Sequence, residues 1–185
     1  MRISLPDEHA DNPIYYLRES YCPEMVTAGL QFSKSVYQHS KLSLREFEAA
    51  RIRSAEINGC LICKNWRSER DLPTYFETMG GDAQNSVMTR GPAPNEAFYL
   101  NISDWQQSSE YSVREKLAAE YAERFGCSPQ ELGYDEEFWD RFKAHYSDAE
   151  VVDLTYVIAA MVALGRVAHV LGLDTNLCPF DVAAE

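Results

Sequence analysis

The 185-residue chain has no basic run, no long uninterrupted apolar stretch and little strand-like alternation. With a net charge of −12 and its cations dispersed, it would repel a phosphate backbone, so nucleic acid is not an expected partner. The N-terminus, Met1-Arg2-Ile3-Ser4-Leu5-Pro6-Asp7-Glu8, lacks the apolar core of a secretory signal. Its longest apolar stretch, Val157 to Leu164, is far too short to span a bilayer, and no membrane partner is expected. A cytoplasmic location is the default that follows, and there cysteines stay mostly reduced. The five cysteines are odd in number, and Cys22, Cys127 and Cys178 are scattered without ligand-like spacing. A disulfide framework is therefore not expected. No flavin, nicotinamide or haem motif is present, so no cofactor is expected either.

What remains is a composition, 45% hydrophobic and 25% charged, that suits one globular domain over residues 1–185. Helix-start signals recur. Ser43-x-x-Glu46, Ser112-x-x-Glu115, Ser128-x-x-Glu131 and Ser147-x-x-Glu150 each match the capping box, and Pro129 adds a favourable first-turn proline. No Asn-Gly or Asp-Gly separates two β-rich runs, so the chain reads as an all-α, single-domain multi-helix bundle. Helices are expected at roughly 24–38, 43–57, 60–71, 112–125, 135–145 and 147–171. An N-terminal arm of about 1–20 precedes them, and an irregular connection occupies about 80–103. The connection is long for a compact domain, which fits a functional cover, an interface arm or a plain flexible surface loop. Ser43-Leu44-Arg45-Glu46-x-x-Ala49-Ala50 is echoed by Ser112-Val113-Arg114-Glu115-x-x-Ala118-Ala119, an echo that shared capping chemistry explains better than duplication.

The chemistry concentrates at Cys60-Leu61-Ile62-Cys63, introduced by Asn58-Gly59. Two thiols three residues apart can close a disulfide within one helical turn, the minimum apparatus for moving two electrons. Half of a metal site and two inert buried cysteines are the competing readings. Zinc would need two further ligands, and His39, His145 and His169 show no paired spacing. A thioredoxin fold is disfavoured because the βαβ pattern is missing. In the preceding helix Leu44, Phe47, Ile52 and Ala55 form one apolar face, and Glu48 and Arg51 fall inside it. Arg51, three residues on, is the cation expected to hold a desolvated Glu48 ionised. Asn58-Gly59 can end that helix and fold the chain back. A second helix starting near Cys60 places both thiols in its first turn, where the dipole and free amides favour thiolate. On a continuous helix Cys60, Cys63 and Arg67 would lie within about 60° of one another, with Lys64 nearby.

Glu48, Arg53 and Ile57-Asn58-Gly59-Cys60-x-x-Cys63 together resemble the carboxymuconolactone decarboxylase family, in particular its alkyl hydroperoxidase D-like branch. Tyr146 to Leu154 and Arg166 to Leu173 are similar to that family's following helix and closing stretch. The resemblance implies an all-helical fold, assembly into homo-oligomers, and thiol-dependent reduction of a small-molecule peroxide or disulfide, with electrons from an external thiol reductant. It makes Cys63 the attacking thiol, Cys60 the resolving one, and Glu48 the glutamate of a proton relay. The chain departs from the branch at Arg67, which stands where a histidine is usual. Arginine can bind an anion or polarise a thiolate but cannot accept a proton. Rescue by His39, His145 or His169 would be long-range and is disfavoured. Two other readings are a lyase that clamps a substrate carboxylate with Arg67, Arg51 or Arg53, and a non-catalytic oligomeric member of the family.

Overall fold

The computed structural model describes residues 2–10 and 12–174. Helices and short 3₁₀ turns make up all the regular structure among them, with no strand, so the all-α expectation holds. The order is α1 (Pro13–Ser20), α2 (Pro23–His39), α3 (Leu44–Asn58), α4 (Leu61–Asn65), α5 (Ser68–Met79), α6 (Glu96–Leu100), α7 (Val113–Cys127), α8 (Pro129–Leu132), α9 (Glu136–Lys143) and α10 (Asp148–Leu171). At the centre α3 packs against α7 and α10, while α2 lies against α10 and α1 against α2. The α3–α7 seam is lined by Ala49, Ala50, Ala118, Ala119 and Ala122, all fully buried, whose small side chains let the backbones approach closely.

Capping boxes form at Ser43, Ser112 and Ser147. The first two are locked crosswise. Glu46 closes its own box at the Ser43 amide and also accepts from Arg114, while Glu115 closes its box at Ser112 and accepts from Arg45 at 2.6 Å. The two echoed Ser-x-Arg-Glu segments thus exchange arginines between helices, which explains why both glutamates are buried. Arg114 also binds the His145 carbonyl and, at 2.7 Å, Glu150, tying the start of α10 to the same network.

Three expectations need correction. The helix expected over 60–71 is two helices, because Trp66 and Arg67 take extended backbone conformations and α5 begins anew at Ser68. The fourth capping signal yields only the four-residue α8, with no cap bond from the Ser128 hydroxyl. The segments written as an arm and an irregular connection carry α1 and α6, each capped by an asparagine side chain (Asn12 and Asn95). α10 lies where the helix over 147–171 is expected, but its apolar character extends beyond the Val157 to Leu164 stretch. It runs 24 residues with a mean hydropathy of 1.8 in its most apolar window, long and apolar enough to cross a membrane. Leu154, Val157, Ile158 and Ala160 bury one side of it in the bundle core, whereas Val152, Tyr156, Val167 and Val170 are exposed.

The doubled role of the capping glutamates has a measurable consequence. Glu115→Ala removes both the cap and the Arg45 partner, and is expected to lower stability by about 2 kcal/mol in urea unfolding. Ser112→Ala, losing only a cap bond, is expected to cost about 1 kcal/mol. Equal costs would show that the crosswise arginines contribute nothing.

Candidate functional site

α3 places Glu48 and Arg51 one turn apart on its buried face, at 0% and 2% exposure. Arg51 donates through Nε and Nη2 to the two Glu48 oxygens, each at 2.9 Å, in a forked pair. Burial opposes the arginine's charge, but the Glu48 carboxylate outweighs it and holds Arg51 above even its ordinary range. The same guanidinium donates to the Cys63 carbonyl at 2.6 Å and the Trp66 carbonyl at 3.2 Å. These are carbonyls at the C-terminal end of α4, where a cation complements the helix dipole. One buried ion pair therefore holds the end of the short thiol helix against α3.

The other end of that helix is held by α10. Gly59 ends α3 in the left-handed region at φ +70°, and the Asn58 side chain donates to the Met161 carbonyl at 2.9 Å. Asn58 reaches it because Gly165 has no side chain: a Cβ there would stand 2.5 Å from Asn58 Nδ2. Cys60 caps α4, its sulfur accepting from the Cys63 amide at 3.3 Å, and the two sulfurs are joined in a disulfide. Cys60 is fully sealed, whereas Cys63 is half-buried. The Leu61 amide, next in the first turn, donates to Asp174 at 2.9 Å.

Aromatic rings pack at the C-terminal end of α4. Tyr37, Trp66 and Tyr75 pack together with ring centroids 5.0 to 6.2 Å apart. Burial raises the Tyr37 hydroxyl well above its usual range, as it does that of Tyr99. Tyr99 comes from the 80–103 connection and bonds Ser68 through its hydroxyl. The Arg51 and Arg67 guanidiniums lie 5.9 and 4.4 Å from its ring centroid. The connection thus packs through Tyr99 against Ser68 and beside the Arg51 and Arg67 guanidiniums.

Of the residues singled out from the sequence, Cys60 and Cys63 are bonded to each other, and Glu48 is linked to them through Arg51, which holds the Cys63 carbonyl. Arg67 does not share a helix with the thiols, because the chain breaks before it. Its guanidinium forks onto Glu96 at 2.6 and 2.8 Å and also donates to the Lys64 and Trp66 carbonyls. Hydrogen bonding from Arg67 in turn holds Glu96 below the usual carboxylate range. Lys64 is exposed on α4, and Arg53 is paired with Glu56 and Glu123. Among the remaining cysteines, Cys22 and Cys127 are free and exposed, and Cys178 lies outside the described residues. Sequence reading missed Tyr99, Trp66, Gly165, Asp174 and the approach of His169. A glycine inside an apolar helix was the one available signal, since it marks close contact.

Because Arg51 supports α4 only while its charge is balanced, Glu48→Ala is expected to cost about 3–5 kcal/mol in chemical denaturation. A loss under about 1 kcal/mol would show that the pair is not a support of the fold.

No protein-family model matches the chain. It is 22% identical over 152 residues to the uncharacterized protein YdfG of Bacillus subtilis, covering 80% of this chain and 90% of that one. A crystal structure of a protein of unknown function from Agrobacterium tumefaciens, ATU0492, provisionally described as the antioxidant defence protein AhpD, superposes with a TM-score of 0.58. That match has 22% identity and covers 85% of this chain and 92% of the other. The chain thus has an all-α fold similar to that AhpD-like structure, and it carries its Cys60–Cys63 pair at the N-terminus of a short helix.

Proposed function

We propose that this protein is a thiol–disulfide oxidoreductase of the alkyl hydroperoxidase-like, peroxidase type. The observation that carries the reading is the bonded Cys60–Cys63 pair, with the first sulfur sealed and the second open enough to meet a small substrate. Resemblance of the fold to an AhpD-like structure supports the same class. In the reduced protein the Cys63 thiolate attacks one oxygen of a hydroperoxide. A sulfur–oxygen bond forms, the oxygen–oxygen bond breaks, and the alkoxide leaves as alcohol with a proton. The Cys60 thiolate then attacks Cys63, hydroxide leaves as water, and the disulfide seen here results. An external thiol reductant returns both sulfurs to the reduced state. An oxidised small disulfide can replace the peroxide, with a thiolate as leaving group.

In this reading Glu48 serves by holding Arg51, and Arg51 by fixing the Cys63 carbonyl. Arg67, bound to Glu96 and stacked near Tyr99, orders the 80–103 connection. The lyase reading finds no support, since the guanidiniums of Arg51, Arg53 and Arg67 already hold carboxylates and none stands free to clamp a substrate. Homo-oligomerisation is favoured by the exposed apolar stripe of Val152, Tyr156, Val167 and Val170 on α10, which a second copy would cover. The net charge of −12 keeps nucleic acid outside the expected partners, and the cytoplasm supplies the thiol reductant.

The test is rapid mixing of the reduced protein with a hydroperoxide, followed by mass analysis. Wild type is expected to convert Cys60 and Cys63 to the disulfide with consumption of one peroxide. Cys63→Ser is expected to lose peroxide consumption altogether. Peroxide turnover at the wild-type rate in that variant would overturn the assignment.

A further inference from the structure

Closing a disulfide releases a proton from the resolving thiol, and the buried Cys60 needs an acceptor for it. Glu48 cannot take it without breaking its fork, since both its oxygens are bonded by Arg51. Arg67 has no basic site to offer. The end of α10 supplies another group. Asp174, fully buried just past the end of α10, accepts from the Leu61 amide at 2.9 Å and bonds His169 Nδ1 at 3.0 Å through the same oxygen. Its second oxygen, Oδ1, is buried and has no hydrogen-bond partner among the described residues. A carboxylate only accepts, so Nδ1 carries the ring proton and Nε2 keeps its lone pair. That nitrogen lies 3.0 Å from where a Cβ on Gly59 would stand, with Cε1 at 3.2 Å. Gly59 and Leu61 flank Cys60, so the histidine and the aspartate touch the chain on either side of the sealed sulfur.

The geometry points to His169 as the proton acceptor for Cys60, with Asp174 as its positioning residue. This rests on the thiol-exchange reading above and identifies the base which that reading lacks. The long-range contribution from His169 is disfavoured on sequence grounds, but the fold sets its ring against Gly59, the residue that precedes Cys60. Four properties fit the role. The His169 side chain is 47% exposed, so it can pass to water what it takes from a sealed residue. Asp174 is a fully buried carboxylate bonded to Nδ1, so it fixes the ring with Nε2 turned away from it. Nearby charges on the packed elements are engaged elsewhere or exposed: Arg166 donates to the Gly126 carbonyl, Glu56 binds Arg53 and Ser103, and Lys64 is exposed on α4. Gly59, with no side chain, leaves the ring room to approach.

The step balances with any oxidant that Cys63 can attack. With 2-hydroxyethyl disulfide, the Cys63 thiolate forms a mixed disulfide and expels one mercaptoethanol thiolate. The Cys60 proton then passes to His169 Nε2, and the Cys60 thiolate attacks Cys63. The bond to the second mercaptoethanol breaks, and the leaving thiolate takes up the proton. Two protein thiols are oxidised and one small disulfide is reduced to two thiols.

The experiment follows closure of the Cys60–Cys63 disulfide from that mixed disulfide at pH 7, by quench and mass analysis, in wild type, His169→Ala, His169→Gln and Asp174→Asn. Both His169 variants are expected to close about 10²-fold more slowly while forming the mixed disulfide at the wild-type rate. Added imidazole is expected to restore closure in His169→Ala, where the ring's space is vacated, which a structural defect would not permit. Asp174→Asn keeps an oxygen for the Leu61 amide and is expected to slow closure about tenfold without loss of fold. Wild-type closure rates in both His169 variants, or slow closure that imidazole leaves unchanged, would overturn the assignment. Because the probe is a disulfide, failure of peroxide turnover in wild type would remove the peroxidase reading and leave this one standing.

Discussion

The buried pairing of Glu48 with Arg51 is the interaction on which the site depends. A lone arginine at this depth would be untenable, because its desolvation cost is offset only by a carboxylate at fork distance. Once paired, the guanidinium still has donors to spend, and it spends them on the Cys63 and Trp66 carbonyls. A five-residue helix has too few internal bonds to stand alone, so α4 exists where it does because its C-terminal carbonyls have a buried cation to meet. The carbonyl bonds also coincide with the turn to extended backbone at Trp66, which separates α4 from α5.

The opposite end of α4 depends on α10. Asn58 anchors the end of α3 through the gap left by Gly165, Gly59 yields room to His169, and the first amide of α4 is taken by Asp174. The thiol turn is thus gripped at both ends by separate elements, with one sulfur sealed between them and the other half open. The two ends of the turn have different surroundings: the part-exposed ring of His169 lies against Gly59, next to Cys60, and Trp66 at the far end of α4 packs with Tyr37 and Tyr75.

Much of this was legible in the residues. The apolar face of α3 with two charges inside it, the Asn-Gly stop and the thiols in a first turn all follow from helical period and capping chemistry, and the structure places them so. Legibility ended where partners are distant in sequence. Nothing local showed that Arg51 would capture carbonyls 12 and 15 residues on, and this is what breaks the helix expected through Arg67. Asn12-Pro13 and Asn95 start helices with a capping asparagine and without the serine–glutamate spacing of a capping box. Asp174 follows a C-capping glycine and reads locally as a surface residue, so only the fold reveals it as buried. Conversely, the echo between Ser43–Ala50 and Ser112–Ala119 has more behind it than capping, since the two segments exchange arginines across the central seam.

The claim at the centre is that this scaffold maintains Cys60 and Cys63 as one two-electron couple, apart from the chain's other thiols. Equilibration of the protein across a series of reduced-to-oxidised dithiothreitol ratios, with thiol labelling and peptide mass analysis, tests it most directly. The expected result is a single reversible two-electron transition confined to the peptide bearing Cys60 and Cys63, with exposed Cys22 and Cys127 labelled throughout. Oxidation spread over Cys22 and Cys127, or a Cys60–Cys63 peptide that never forms its disulfide, would contradict it.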